Sequence, residues 1–204
     1  MNPRKKRHLK MAANVRDVYR QVDAHVTSSA EFEGVSCKKG CAACCRMMTV
    51  TTFPEAVALA SRYPKEVERA LPRLREDHAT MLDIGRAQAV PMNTPHMLDP
   101  ELHQRLCDAW WELQRPCPFL SDANECTVYE ARPLACRTYY VRSDPSLCAR
   151  VPAAGVEFLA LSDENSPRAI GALADAQERA GLSQMFMCGN LAEMVLYARQ
   201  QLRR

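Results

Sequence analysis

Cys37-Lys-Lys-Gly-Cys41-Ala-Ala-Cys44-Cys45 places four thiols within nine residues, and the reading of this stretch decides what kind of fold the chain can build. Intervals of two or three residues let one loop wrap around a metal, and Gly40 gives the backbone freedom to approach it closely. The neighbours Cys44 and Cys45 diverge in an extended backbone because successive side chains point to opposite sides, so one of them can serve a different metal atom or site.

Downstream, a second set of thiols lies in Cys117-Pro-Phe-Leu-Ser-Asp-Ala-Asn-Glu-Cys126, in Tyr129-Glu-Ala-Arg132-Pro133-Leu-Ala-Cys136-Arg137 and at Cys148. Their spacings of eight, nine and eleven intervening residues are too long for a single zinc knuckle but suit several loops converging on one site. Cys37, Cys41, Cys44, Cys45, Cys117, Cys126, Cys136 and Cys148 together offer eight thiolates. That number fits two four-coordinate zinc sites, two four-iron clusters, or one such site plus structural spares. Bound thiolates accumulate negative charge, so Lys38, Lys39, Arg46, Arg132 and Arg137 are expected to lower the thiol pKa values and offset that charge, although surface solubility explains any one of them equally well.

Compartment decides between ligand and disulfide. The chain carries ten cysteines in 204 residues, with 47% apolar and 25% charged residues and a net charge of +3. Arg4, Lys5, Lys6, Arg7 and Lys10 open the chain, but Arg16, Asp17, Arg20 and Asp23 interrupt the stretch behind them, so no signal-peptide core is readable. Nor do roughly 18 apolar residues run uninterrupted anywhere, which leaves no membrane span in the sequence. The expectation is a cytoplasmic protein, where persistent disulfides are rare and dense cysteines mark metal binding or catalysis. A net charge this small does not imply a polyanionic partner. The basic run Arg4 to Arg7 reads as a solvated, frayed terminus rather than a nucleic-acid contact.

Hydrophobic periodicity supplies the frame. Val15, Val18, Tyr19, Val22 and Val26 predict an amphipathic helix over about 10–29. Thr49 to Phe53 is short and β-branched, and Pro54 opens a helix to Tyr63. Helix continues over about 64–87, with a kink or new start expected at Pro72. Residues 88–98 read as a connection, and Asp99-Pro100-Glu101 starts a helix to about Gln114. Between Pro116 and Cys148 the pattern is irregular, with an Asp-Ala-Asn turn and Thr127-Val128-Tyr129 as a short strand, and such a segment needs an internal staple. Helix returns over about 166–180 and 190–202. The fold class expected is mostly α: a single domain with an irregular, cysteine-rich, metal-organised centre and a small β element. Its parts are a basic amphipathic helix (1–30), a cysteine-cluster domain (31–150) with a helical insertion (46–116), and a C-terminal helical region (151–204).

These motifs resemble the cysteine-cluster proteins of the YkgJ type, a zinc- or iron-chelating domain. The resemblance lies in Cys37-x-x-x-Cys41-x-x-Cys44-Cys45, Cys117-x-x-Leu, Cys126-x-Val-Tyr-x-x-Arg132-Pro133-x-x-Cys136-Arg137 and Cys148-Ala-Arg150, and so spans residues 37 to 150. It implies metal chelation by those cysteines. The related flagellin lysine methylases imply that an iron-sulfur cluster, of the 4Fe-4S kind, can be the occupant. It implies no single reaction.

Context separates the rival readings. Cys37-x-x-x-Cys41-x-x-Cys44 is also the spacing of radical S-adenosylmethionine enzymes, but Ala43 stands where those carry an aromatic and the β/α alternation is missing. Cys41-Ala-Ala-Cys44 has thioredoxin-like spacing without the surrounding βαβ pattern. Cys107 and Cys188 stand apart from the motifs and read as buried thiols. His103 shares a helical face with Cys107, although an ordinary surface histidine is the simpler reading. His25, His78 and His96 have no companion spacing, and Trp110, Trp111, Met185 and Met187 read as core or interface anchors.

The sequence therefore predicts a metal-binding protein holding an iron-sulfur cluster or zinc. The alternatives are a metal-dependent modifying enzyme, such as one that methylates protein lysines, and an interaction protein. The last would dock through its terminal amphipathic helices and use the metal only as a staple. In each case the central loops are expected to depend on metal for their order.

Overall fold

Asn2 accepts the Arg4 N–H on its side-chain oxygen at 2.9 Å and so caps a helix that runs Pro3–Ser28 (α1). The computed structural model describes residues 2–28, 32–38, 40–89, 99–149, 155–159, 165–181 and 188–204. α1 starts well before the periodic stretch, so the basic run is helical rather than frayed. The reason is local: besides the cap, the Asn2 amide donates to the Arg204 carbonyl at 3.0 Å, and His8 is fully buried against the Phe53 ring. Met11, Val15, Val18, Tyr19 and Val26 form the buried stripe, as their spacing requires.

Val50–Thr52 (β1) leads into Phe53–Arg62 (α2). Thr52 and Glu55 form a reciprocal capping box, and Pro54 occupies the first turn. Glu55 is only 2% exposed. Its carboxylate accepts the Thr52 N–H and hydroxyl at 2.9 Å each, the Tyr19 hydroxyl at 2.9 Å and the Leu134 N–H at 2.6 Å. A buried carboxylate is tolerated only with such a set of donors.

Pro64–Ala87 (α3) passes through Pro72 unbroken, where the sequence predicts a kink or a new start. Proline removes one donor to the carbonyl four residues back, that of Glu68. The Glu68 side chain is tied in turn to Arg199 at 2.8 Å and Arg203 at 2.8 Å, which holds that turn against the C-terminal helix. Pro100–Glu112 (α4) is capped by Asp99 and meets α3 through a small second core of Met81, Leu106 and Trp110.

After the short helix Leu134–Arg137 (α5) come Asn165–Arg179 (α6), Cys188–Asn190 (β2) and Leu191–Arg203 (α7). β2 pairs antiparallel with β1 in the register Val50 to Asn190, Thr51 to Gly189 and Thr52 to Cys188. A Cβ at Gly189 would lie 2.6 Å from Glu193 Oε2, so any other residue there would push that side chain aside. Asn190 then caps α7 by accepting the Glu193 N–H at 2.9 Å. α1 packs on α2 and α6, and α7 on α2 and α3, around a core that includes Val15, Val57, Leu59, Leu74, Leu173 and Val195. The chain is thus one mostly helical domain with a two-stranded antiparallel sheet. The apolar faces of α1 and α7 pack into this core.

One expected strand is absent. The Thr127 N–H donates to the Phe119 carbonyl at 2.9 Å as part of an isolated antiparallel bridge between Leu120 and Cys126, but the chain then turns at Val128 and closes the 3₁₀ turn Tyr129–Ala131 with the Ala131 N–H on the Val128 carbonyl at 2.8 Å, so the pairing goes no further. The turn before it does form, with Asn124 in the left-handed region at φ 58°. Lys39, residues 90–98 of the expected connection (His96 among them), Arg150, Met185 and Met187 lie outside the described residues. No helix among the described residues is long and apolar enough to cross a membrane.

Candidate metal centre

Main-chain hydrogen bonds bring the two cysteine segments together. The Ser36 N–H donates to the Val141 carbonyl at 2.9 Å, which lays the residue before Cys37 along 141–143; the far side of that segment pairs Val141 with Phe158. Gly40 adopts φ +84° between Cys37 and Cys41, and open space surrounds the position of a Cβ there. The left-handed turn is itself a reason for glycine there. The 3₁₀ turn Ala43–Arg46 packs on the 3₁₀ turn Pro145–Ala149, carrying Cys44 toward Cys148. The Cys117 N–H donates to the Cys45 carbonyl at 2.6 Å, while Arg46 donates to the Gln114 carbonyl at 2.7 Å. Cys136 is set by α5, whose first N–H is the one held by Glu55.

Seven of the eight motif thiols fall into two adjoining lobes. Cys37, Cys41, Cys44 and Cys148 lie in one another's electrostatic reach, with the Tyr139 hydroxyl against Cys148. Cys117, Cys126 and Cys136 form the second lobe, and Cys136 also feels Cys44, so the lobes touch. Cys45 stands between them, its side chain hydrogen-bonded to Cys44 and its carbonyl to Cys117. Cys107 is on α4 with its sulfur 3.4 Å from His103 Nε2, and Cys188 lies in β2 beside Glu193. Among the described residues no three His, Cys, Asp or Glu side chains are drawn close enough to hold an ion as they stand.

Burial governs the thiols. It pushes Cys117 and Cys136 up to about 12 and raises Cys37, Cys126 and Cys148. Cys44 is raised first by its hydrogen bond with Cys45 and then by burial. The flanking cations therefore do not produce the low thiol pKa values the sequence suggests, because desolvation of a thiolate outweighs them. Arg132 does pull down Cys37, Cys44, Cys126 and Cys136, and Arg73 does so for Cys117. Arg137 acts on Cys126 but is chiefly a staple, 3% exposed. It pairs with Asp23, stacks 3.9 Å from the Tyr19 ring centroid and donates to the Arg132 and Glu130 carbonyls. Lys38 is exposed.

Four residues that position the centre escape a reading of the sequence: Glu55, Thr49, Arg73 and Tyr139. Thr49 hydrogen-bonds Cys136, and Arg73 donates to the Pro116 carbonyl. Only Glu55 carries a legible signal, the Thr52-x-x-Glu55 capping box, and that signal says nothing of Leu134.

Residues 36–153, more than half of the chain, match the CxxCxxCC family, whose description reads "Putative zinc- or iron-chelating domain". The chain belongs to this family. No curated protein and no solved structure matches it. The CxxCxxCC segment contains all eight motif cysteines and neither Cys188 nor any residue of α1, α6 or α7, while Cys107 falls inside it without joining the lobes. Metal binding by such a domain agrees with the donor set: a half-buried set of soft thiol ligands suits zinc or iron-sulfur clusters and not magnesium or calcium.

Proposed function

We propose that this CxxCxxCC protein is a thiolate metalloprotein with two adjoining centres, each an iron-sulfur cluster. Cys37, Cys41, Cys44 and Cys148 hold one; Cys117, Cys126 and Cys136 hold the other, with Cys45 as the fourth ligand. The observation that carries this reading is the convergence of the motif thiols from three separated segments into two lobes with Cys45 between them, while Cys107 and Cys188 stay outside. Iron is preferred to zinc on the resemblance to flagellin lysine methylases. All ten cysteines are free, which agrees with a reducing, cytoplasmic setting.

When bound, a cluster supplies one-electron transfer or an iron on which a substrate can be activated. The chain's own residues hold and shield it. The 3₁₀ turns present Cys44 and Cys148, the Glu55-anchored α5 presents Cys136, Thr49 directs a hydrogen bond to Cys136, and the buried Tyr139 hydroxyl, which has no hydrogen-bond partner among the described residues, stands near Cys148. Such sulfur hydrogen bonds tune the potential of a thiolate centre.

Metal and acid-labile sulfide analysis, with a visible spectrum of protein purified without oxygen, tests this reading. The expected result is iron with matching sulfide and a broad band near roughly 400 nm. Colourless protein with stoichiometric zinc replaces iron-sulfur by a zinc assignment.

The arrangement of Cys45 favours a second reading, a modifying enzyme. Its side chain bonds Cys44, and only its backbone reaches the second lobe. A three-cysteine second centre would keep an open position for S-adenosylmethionine or a substrate. A spectral shift of the reduced protein on adding S-adenosylmethionine separates this reading from the closed one.

A further inference from the structure

Arg132 is a half-buried cation without an anion among the described residues. Its Nε is buried and has no hydrogen-bond partner, its Nη2 donates to the Tyr140 hydroxyl at 3.1 Å, and its guanidinium lies 4.2 Å from the Tyr129 ring centroid. It makes no ion pair among the described residues, whereas Arg115 is paired with Asp77 and Arg137 with Asp23. A desolvated guanidinium normally has a carboxylate, because burying an unpaired charge is costly. The chain therefore holds a positive charge in readiness for negative charge that arrives later.

The position of Arg132 says where that charge arises. Cys136 of the second lobe comes four residues on. Tyr140, to which Arg132 reaches, precedes Val141, whose carbonyl holds Ser36 next to Cys37 of the first lobe. Cys44, at the junction of the lobes, lies in its field as well. Held between Tyr129 and Tyr140, the guanidinium acts on Cys37 and Cys44 of one lobe and on Cys126 and Cys136 of the other. A zinc ion or a four-iron cluster bound by four thiolates carries roughly two net negative charges, so two adjoining centres oppose each other's formation unless a cation stands between them.

We propose that Arg132 is the shared counter-charge of the two lobes and that it couples their occupancy, so that filling the first with a thiolate-bound metal does not disfavour filling the second. The proposal rests on the two-centre reading above. Arg132 is here a positioning residue that acts through charge and is not itself a ligand.

The test is an anaerobic zinc titration of the full reduced chain against a chromophoric chelator, giving two stepwise dissociation constants. In the wild type the two steps are expected within about tenfold of each other. Arg132→Met is expected to weaken the second step at least tenfold more than the first, and Arg132→Lys, which keeps the charge, to restore most of the ratio. A ratio unchanged in Arg132→Met, or a Lys variant that behaves like Met, overturns the proposal. If Arg132→Met loses helicity, Arg132→Gln takes its place in the same titration with the same criteria. Uptake of fewer than two equivalents by the wild type instead overturns the two-centre reading, and with it this inference.

Discussion

Cys117 donates its backbone N–H to the Cys45 carbonyl at 2.6 Å, so main chain joins the two cysteine segments before any metal bridges them. The core of α1, α2, α6 and α7 contains no motif cysteine, although Cys117 and Cys126 pack against its edge. Stripping the metal is therefore expected to leave most far-ultraviolet helical signal while exchange of backbone amides in residues 113–149 speeds up at least tenfold. Circular dichroism with hydrogen exchange, before and after chelation, checks both.

Single cysteine replacements sort the thiols. Cys136→Ser is expected to lose one of two metal equivalents, and Cys148→Ser the other, each with the helical signal kept. Cys107→Ser and Cys188→Ser are expected to keep both. Metal per folded chain is the measurement, and a loss in Cys107→Ser contradicts the assignment of the lobes.

Acid should antagonise loading. The metal-free thiols of Cys117 and Cys136 are raised to about 12, so they are protonated at neutral pH and must release protons to bind. Apparent metal affinity is therefore expected to rise with pH across 6 to 9, on the order of tenfold per pH unit for each proton released, and uptake in weak buffer should acidify the solution.

Replacing Glu55 by alanine strands the Leu134 and Thr52 N–H groups and the Tyr19 hydroxyl in a buried site. Donors left unsatisfied in this way cost about 1–3 kcal/mol each, so Glu55→Ala is expected to lose about 3–5 kcal/mol in chemical denaturation. Because the Leu134 N–H is one of them, Cys136 should also react faster with alkylating reagents.

His8 gives the fold a second pH dependence. Burial first, and then Arg4 and Arg7, lower its pKa from 6.5, and neither ring nitrogen has a hydrogen-bond partner. A depressed pKa in the folded state means that its contribution is fully present above pH 6.5 and is lost as pH falls through the folded value. Wild-type thermal stability should therefore drop below about pH 6.5 by more than that of His8→Leu, measured side by side.

The helices were legible because burial imposes the 3.6-residue period, and Met11, Val15, Val57 and Val195 sit in the core where that period puts them. The donor set was legible as composition, since ten cysteines demand a chemical reason. Its grouping was not, because Cys148 joins Cys37 through a carbonyl on Val141 that no spacing encodes. Arg132 and Arg137 look equivalent in the sequence, yet one meets thiols and the other Asp23, a difference decided by α1. The expected strand at Thr127 is cut to a single bridge because the backbone turns into Tyr129–Ala131 at once, a turn that β-branched propensity does not see.

Pairing of β1 with β2 has a biosynthetic consequence. Every motif thiol precedes Cys188–Asn190 in chain order, so a ribosome has made all eight before the partner of Val50–Thr52 exists. During that interval the nascent chain carries a full set of reduced sulfurs without the closing strand or the helix it leads into. The loops that carry those sulfurs are therefore closed last, when β2 and α7 emerge and pack on β1, α2 and α3.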